Sequence, residues 1–180
     1  MSRALVVVDI QKDYFPGGAF PLVEPEAAAA AARTVLDAFR AAGEPVIHLQ
    51  HVWDEPDAPM MRPGTDGVEI HPTVAPAEGE PVITKDAPNG FLRTSLEEQL
   101  RAAGSDEIVV VGMMTSMCVD ATVRAGADLG FGVTVVHDAC AAPDLEFGGV
   151  NVPAASVGAA FLAALADGYA RVVGSDELLD

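Results

Sequence analysis

Residues 107–129, EIVVVGMMTSMCVDATVRAGADL, predict a strand, a tight turn and a helix, with a cysteine at the turn. The continuous β-branched run near the start is typical of a strand buried on both faces of a sheet. In this prediction Gly112 ends the strand, and Gly130 closes a helix over residues 119–129. Cys118 then lies at a helix N-terminus, where unpaired backbone N–H groups and the helix dipole favour its thiolate. The alternative is a small buried core residue, the commonest role of a free cysteine.

Two charged residues also follow predicted strands. Asp9 comes directly after ALVVV at residues 4–8, and Lys85 comes after PVIT at residues 81–84. The carboxyl ends of parallel strands line the ligand crevice of an open α/β sheet, and an unpaired charge in a dry site is costly. An acid, a base and a thiol that open onto one edge indicate an activated-nucleophile site. The competing interpretation of Asp9 and Lys85 is a structural ion pair that only closes the crevice.

Three segments resemble the signatures of the isochorismatase-like cysteine hydrolases. They are DIQKDY at 9–14, Lys85, and GMMTSMCV at 112–119; DAC at 138–140 and PAA at 153–155 also fit, so the resemblance covers essentially the whole chain. It implies a catalytic triad of Asp9, Lys85 and Cys118. It also implies a cis peptide between Met113 and Met114, and an oxyanion hole formed by the backbone amides of Met114 and Cys118.

The composition predicts one soluble domain spanning residues 1–180. The chain is half hydrophobic, with no apolar run near 18 residues and no basic-then-apolar leader, which favours a cytoplasmic protein. Its net charge of −17 argues against nucleic acid and anionic membranes as partners. Two cysteines, Cys118 and Cys140, give no disulfide framework.

Strands and helices alternate along the chain, which predicts a three-layer α/β/α, Rossmann-like fold with a parallel sheet. The resemblance implies six strands in the order 3-2-1-4-5-6, which places Asp9 next to Cys118 at the switch point. Residues 52–80 form an unusually long connection, typical of a lid or binding loop. The predicted strands are 4–9, 45–50, 82–84, 108–111, 133–136 and 170–173, and the predicted helices are 26–42, 95–104 with a capping box at its start, 119–129 and 154–166.

These residues permit acyl transfer. Cys118 is the predicted nucleophile, its thiolate supported by the helix N-terminus and by Lys85. Asp9 accepts the thiol proton, returns it to the leaving amine and then activates water. Lys85 either keeps Asp9 ionised or stabilises the thiolate, and the sequence leaves both open.

Side chains on the loops after the strands could bind the substrate. The predicted substrate-binding residues are Gln11, Phe15, Trp53 and Phe91, although each aromatic could equally be packing under a loop. His51 could face the crevice, whereas His48 within a strand is expected to be a hydrogen-bonded core histidine. Asp13 is expected to shape the site or cap its loop, and Cys140 to be a small buried residue.

The chain departs from the family pattern where nicotinamidases of the family bind a metal. They use an Asp-x-His pair and a later histidine, and HVWDEP at 51–56 has no such pair. Asp54 and His71 alone do not supply three protein ligands, so neither a metal nor another cofactor is predicted. Gly158 stands where many relatives carry a histidine.

The predicted function is metal-independent hydrolysis of a C–N bond in a small-molecule amide, through a thioester on Cys118. One alternative is isochorismatase-type hydrolysis of a vinyl ether, which does not need the thiol; the other is a non-catalytic redox-sensing thiol. Lys85 is the one cation clearly expected near the crevice, which favours neutral or cationic amides unless Arg62 or Arg93 reaches in. The resemblance also implies a homo-oligomer, either a dimer or a tetramer.

Overall fold

The structure, a computed structural model, describes residues 2–180. Six parallel strands form one sheet in the order β3-β2-β1-β4-β5-β8. This is the expected order 3-2-1-4-5-6, because β8 is the sixth strand of the sequence prediction. The strands are β1 Ser2–Val8, β2 Val46–His51, β3 Val82–Lys85, β4 Ser105–Met113, β5 Gly132–Ala141, β6 Leu145–Phe147, β7 Val150–Val152 and β8 Arg171–Val173, and the helices are α1 Pro25–Ala42, α2 Leu96–Ala102, α3 Asp120–Asp128, α4 Ala154–Gly168 and α5 Ser175–Leu179.

The central strand β1 sends alternate side chains into two hydrophobic cores, one on each face of the sheet. Leu5 and Val7 pack in the core that contains Leu36 and Phe39 of α1. Ala4, Val6 and Val8 pack in the opposite core, with side chains from α2, α3 and α4. The helices therefore cover both faces, and the predicted three-layer architecture is confirmed.

The strand that precedes the cysteine does not end at Gly112 as predicted; β4 continues to Met113. Gly112 has φ 144°, and a Cβ at this position would overlap the carbonyl oxygen of Val8 on β1. The glycine is therefore required by the close approach of β1 and β4 rather than by a chain reversal. The Met113–Met114 peptide bond is cis, as the resemblance implied.

The helix predicted at 119–129 is divided in two. Thr115–Val119 forms a π turn that contains Cys118, and α3 follows from Asp120. The capping box predicted at Ser95 is not formed, because the Ser95 side chain makes no cap hydrogen bond. Its hydroxyl accepts a hydrogen bond from Gln99 Nε2 instead.

Two short features were not predicted, a hairpin formed by β6 and β7 and the terminal helix α5. The hairpin turns at Gly148 and Gly149, whose φ angles of 60° and 80° suit a primed two-residue turn. Three-residue strands carry too little alternation to be recognised from a sequence pattern. No helix within residues 2–180 is long and apolar enough to cross a membrane.

Candidate active site

The site lies at the carboxyl ends of the central strands. Asp9 follows β1, Lys85 is the last residue of β3, and Cys118 lies in the π turn after β4. The register of β1 and β4 pairs Val8 with Gly112, so Asp9 emerges beside the cysteine turn. Asp9 adopts a left-handed φ of 47°, a conformation that aspartate tolerates better than most residues.

Asp9 and Lys85 form a buried ion pair. Lys85 Nζ lies 2.6 Å from Asp9 Oδ2, and neither side chain is exposed. Lys85 Nζ also donates to the carbonyl oxygen of Ala87 at 3.0 Å. Neither Asp9 oxygen has a well-aligned hydrogen-bond donor among residues 2–180, so the contact with Lys85 is mainly electrostatic. A buried carboxylate left this incompletely satisfied is energetically costly, which is typical of a functional site.

Cys118 completes the cluster. Its sulfur and one atom each from Asp9 and His51 lie within 4.8 Å of one another. Burial, followed by the charge of Asp9, raises the pKa of Cys118, although Lys85 acts in the opposite direction. The sequence-based expectation of a favoured thiolate is therefore wrong for the resting site, because desolvation and the carboxylate outweigh the lysine. The thiol stays protonated beside a carboxylate that can accept its proton.

His51, at the end of β2, belongs to the same cluster. Its Nδ1 lies 3.3 Å from Lys85 Nζ. An ammonium group can only donate, so Nδ1 accepts and the imidazole proton is on Nε2. Burial, followed by the charge of Lys85, lowers the pKa of His51, so the ring is neutral near pH 7. The sequence pattern indicated only that this histidine could face the crevice, and it predicted no role for it.

Gln11, predicted to bind substrate, holds the backbone of His51 instead. Its Nε2 donates to the carbonyl oxygens of His51 and Val68 at 2.9 and 2.7 Å, and its Oε1 accepts from the His51 amide at 2.8 Å. These bonds occupy the amide group of a fully buried side chain. Gln11 therefore ties the end of β2 to the loop after it and does not line the cysteine pocket.

A pocket of about 260 Å³ opens above Cys118. Trp53 is the one predicted aromatic that lines it. Tyr14, within the quoted DIQKDY segment, lines it too, and burial raises the pKa of its phenol, which therefore stays neutral. The remaining lining residues are His51, Glu55, Met60, Asp86, Pro88 and Met117.

The other two predicted aromatics lie elsewhere. Phe15 stacks on His71, with ring centroids 3.7 Å apart, and lines a separate cavity of about 420 Å³. Phe91 stacks on Phe131 at 5.9 Å and packs against the core that includes α3. Both positions correspond to the alternative of packing under a loop. Position after a strand gave no information about which way each loop folds back.

The charges around the pocket are mainly acidic. Glu55 and Asp86 line the pocket, none of its lining residues is a lysine or an arginine, and the ammonium of Lys85 is paired with Asp9. Arg93 Nη2 pairs with Asp86 at 2.7 Å, and both side chains are exposed. Arg62 lines none of the cavities described here.

Asp54 and His71 do not converge with His51: His71 stacks on Phe15, and neither residue belongs to the metal-ligating cluster found within residues 2–180. Among residues 2–180, the metal-ligating side chains that converge are Asp9, His51 and Cys118. The ammonium of Lys85 contacts two of these three, so a cation would have to displace it. This donor set does not resemble an open metal site.

The remaining candidate residues make hydrogen bonds within the fold and do not line the Cys118 pocket. Asp13 joins two loops, its carboxylate accepting from the amides of Ala19 and Met61 at 3.0 and 2.6 Å. His48 is fully buried and contacts Glu80 at 2.9 Å, so the prediction of a hydrogen-bonded core histidine is confirmed. Cys140 is half-buried rather than buried, with its thiol donating to the Val136 carbonyl.

The fold and the buried acid, lysine and thiol define a class of parallel α/β proteins with a cysteine at the switch point of the sheet. The isochorismatase domain family matches residues 3–150, so this chain belongs to the isochorismatase family of hydrolases. It is 46% identical to the uncharacterized isochorismatase family protein YddQ of Bacillus subtilis, over 99% of both chains.

Solved structures agree with this assignment. An isochorismatase-hydrolase structure from Oleispira antarctica is similar at a TM-score of 0.95 and 48% identity, covering 99% of this chain and 96% of that one. N-carbamoylsarcosine amidase from Thermoplasma acidophilum is similar at a TM-score of 0.83 and 29% identity, covering 98% of both chains.

Proposed function

We propose that this protein hydrolyses a C–N bond of a small amide through a thioester on Cys118. The observation that carries the proposal is the buried cluster of Asp9, Lys85 and Cys118, whose cysteine lines a pocket of about 260 Å³. The similarity to an enzyme named as an amidase supports the same reaction class.

Acylation begins with the protonated thiol. As Cys118 Sγ attacks the amide carbon, Asp9 takes the thiol proton and the carbonyl oxygen gains negative charge. The backbone amides of Met114 and Cys118 hold that oxyanion, each worth roughly 3–4 kcal/mol by analogy with other enzymes. When the C–N bond breaks, Asp9 returns the proton to the leaving amine, and the thioester remains.

Deacylation uses the same acid and base. Asp9 removes a proton from a water molecule, which attacks the thioester carbon; the C–S bond then breaks and the thiol recovers the proton. Lys85 provides a fixed positive charge 2.6 Å from Asp9, and this charge stabilises the carboxylate between the two steps. His51 occupies the other side of Lys85 and limits where its ammonium can point.

Neutral or cationic amides suit the pocket better than anionic ones. An anionic group near Glu55 or Asp86 would meet like charge, and Lys85 is already paired. A planar or cationic group could instead lie against Trp53, which lines the same wall. The guanidinium of Arg93 pairs with Asp86, so it would have to break this ion pair before it could contact an anionic substrate.

The test is an amide-library screen that measures ammonia or amine release by the purified full chain. With a turned-over amide, acid quenching followed by intact-mass measurement should reveal an acyl group on the wild type, and Cys118→Ala should carry none. Hydrolysis without any acyl adduct, and with full turnover in Cys118→Ala, would favour the vinyl ether type of reaction. The redox-sensor alternative is disfavoured because redox-sensing thiols are exposed and have low pKa values, unlike Cys118.

A further inference from the structure

The hydroxyl of Tyr14 is a polar group in the Cys118 pocket that has no partner within the described chain. The side chain is 1% exposed and lines the pocket of about 260 Å³ together with Cys118. Its oxygen makes no hydrogen bond with any group of residues 2–180. It is also not fully enclosed, unlike the unpaired side-chain atoms of Asp9, His48 and Ser105. The hydroxyl therefore opens into the pocket rather than into the core.

The partners that remain for this hydroxyl are a pocket water and the substrate. A substrate that displaces the water without replacing its hydrogen bond leaves a buried donor unsatisfied, which weakens binding. A substrate that carries an acceptor at this point avoids that loss. The hydroxyl of Tyr14 can therefore discriminate between substrates by whether they carry such an acceptor.

The hydroxyl keeps its proton near neutral pH. Burial, followed by the charges of Cys118 and Asp9, raises the pKa of Tyr14. Because charge effects weaken with distance, their action on the phenol agrees with a hydroxyl close to the reacting sulfur. A phenol oxygen is a poorer acceptor than a carbonyl oxygen, since one of its lone pairs is delocalised into the ring. Tyr14 is therefore suited to donate.

Tyr14 is held firmly in place by its backbone and its ring. It ends the short helical turn Lys12–Tyr14, and its amide donates to the Gln11 carbonyl at 3.0 Å. Its own carbonyl accepts from the Leu22 amide at 3.0 Å. The ring belongs to the core cluster that contains Met114. A donor fixed in this way loses little conformational entropy when a ligand binds.

The polar groups of the pocket differ between its buried and its exposed parts. Tyr14 and Cys118 are buried, whereas Glu55 and Asp86 are exposed. The buried part thus offers a neutral hydrogen-bond donor, and the exposed part offers carboxylates. A substrate that matches both has an acceptor close to the sulfur and a neutral or cationic group farther out.

We propose that Tyr14 donates a hydrogen bond to the substrate, and that the substrate is an amide with a second acceptor oxygen within a few bonds of the scissile carbonyl. The substrate class rests on the proposed hydrolysis at Cys118, because the carbonyl carbon must reach Sγ. Tyr14 and Cys118 line the same pocket, so the acceptor lies near the reacting carbon. The scissile oxygen itself is assigned to the backbone amides of Met114 and Cys118, so it is not the partner of Tyr14.

Ligand binding to the inactive variant Cys118→Ala tests the proposal without hydrolysis. The probes are acetoacetamide and isovaleramide, which have the same number of heavy atoms and differ by one ketone oxygen. Adding Tyr14→Phe should weaken the binding of acetoacetamide roughly three- to tenfold and leave that of isovaleramide nearly unchanged, as measured by NMR titration. Adding Tyr169→Phe, at the other tyrosine of the chain and outside the pocket, is the matched control and should affect neither.

The stability of the ligand-free protein separates recognition from packing. Phenylalanine keeps the ring in the core and removes a hydroxyl that has no partner within residues 2–180, so Tyr14→Phe should unfold at no lower denaturant concentration than the wild type. Equal effects on both amides, no binding of acetoacetamide, or lost stability with unchanged selectivity would overturn the role of Tyr14. Selective binding that depends on Tyr14, in a wild type that hydrolyses no amide, would uphold the donor and refute the proposed hydrolysis instead.

Discussion

Lys85 Nζ lies 2.6 Å from Asp9 Oδ2, and both side chains are fully buried. Removing one partner of such a pair leaves an uncompensated charge and costs about 3–5 kcal/mol of stability. Substitutions at either residue are therefore expected to affect folding as well as turnover. Cys118 is uncharged in the resting site, so it is the cleaner position for testing the chemistry.

The triad is expected to act as a unit. Cys118→Ala, Asp9→Asn and Lys85→Ala should each remove nearly all turnover, and their losses should not add in double variants. The measurement is kcat/KM for each variant on one amide, with folding checked by circular dichroism. Cys140→Ala, the other cysteine, serves as the control and should keep its activity. Substantial turnover in Cys118→Ala would instead indicate attack by a water held by Asp9.

His51 should make stability depend on pH. The folded chain holds His51 neutral below its ordinary pKa of 6.5, because of burial and Lys85, with Asp9 and Asp86 partly opposing. As pH falls below 6.5, His51 binds a proton in the unfolded chain but not yet in the folded chain. The free energy of unfolding therefore decreases as the pH falls from 6.5 to the lowered pKa of His51 in the folded chain.

The measurement is denaturant unfolding of the wild type and His51→Gln at pH 7 and in the mildly acidic range. The wild type should lose more stability than the variant over that interval. His48 and His71 titrate in both proteins, so the difference isolates His51. Parallel pH curves for the two proteins would refute the role assigned to Lys85 and burial.

The purified protein should contain no stoichiometric zinc, iron or manganese, and a chelator should leave turnover unchanged. The physical reason is that Lys85 contacts both Asp9 and His51. Elemental analysis is the measurement. About one metal per chain, lost together with activity, would contradict this, and Asp9, His51 and Cys118 would then be the first ligands to replace.

At the scale of elements, the turn after β4 determines where the nucleophile lies. Val119 N donates to Met114 O at 3.2 Å, the wide i→i−5 bond of a π turn, and Cys118 lies inside that turn. Single π turns of this kind occur frequently at functional sites. The close contact of β1 and β4 at Gly112 brings this turn beside Asp9.

Gly112→Ala should therefore disturb the site as well as the sheet. The new Cβ would overlap Val8, at a φ that alanine rarely adopts, so we expect a loss of more than about 3 kcal/mol in unfolding free energy. Gly130→Ala is the matched control, with φ 86° and nothing within 4 Å, and should lose only about 1–2 kcal/mol. Denaturant unfolding is the measurement. Equal losses of unfolding free energy in the two variants would show that the close approach of β1 and β4 is not what requires a glycine at position 112.

At the scale of the whole molecule, the charge of −17 should bias the choice of substrate. A cationic amide should exceed its matched carboxylated analogue in kcat/KM, and Glu55→Gln should reduce that preference by roughly threefold, the effect of an exposed ion pair. Raising the salt concentration should shrink the preference further by screening. A preference for the carboxylated member at both salt concentrations would point to Arg93 or Arg62 as an anion contact.

The sequence by itself determined the sheet and the positions of the proposed catalytic residues. β-branched runs, strand–helix alternation and polar residues at strand ends are local patterns, and together with the family signatures they located Asp9, Lys85 and Cys118. They also anticipated that His48 is structural.

Only the tertiary structure decided the surroundings of these residues. Which way a loop folds back depends on long-range packing, so Trp53 and Tyr14 line the pocket while Phe15 and Phe91 pack elsewhere. The protonation state of Cys118 depends on burial and on the distance to Asp9, and neither can be read from helix position alone. His51 joined the site through the register of β2 and β3, which pairs it with Lys85 across strands 34 residues apart in the chain.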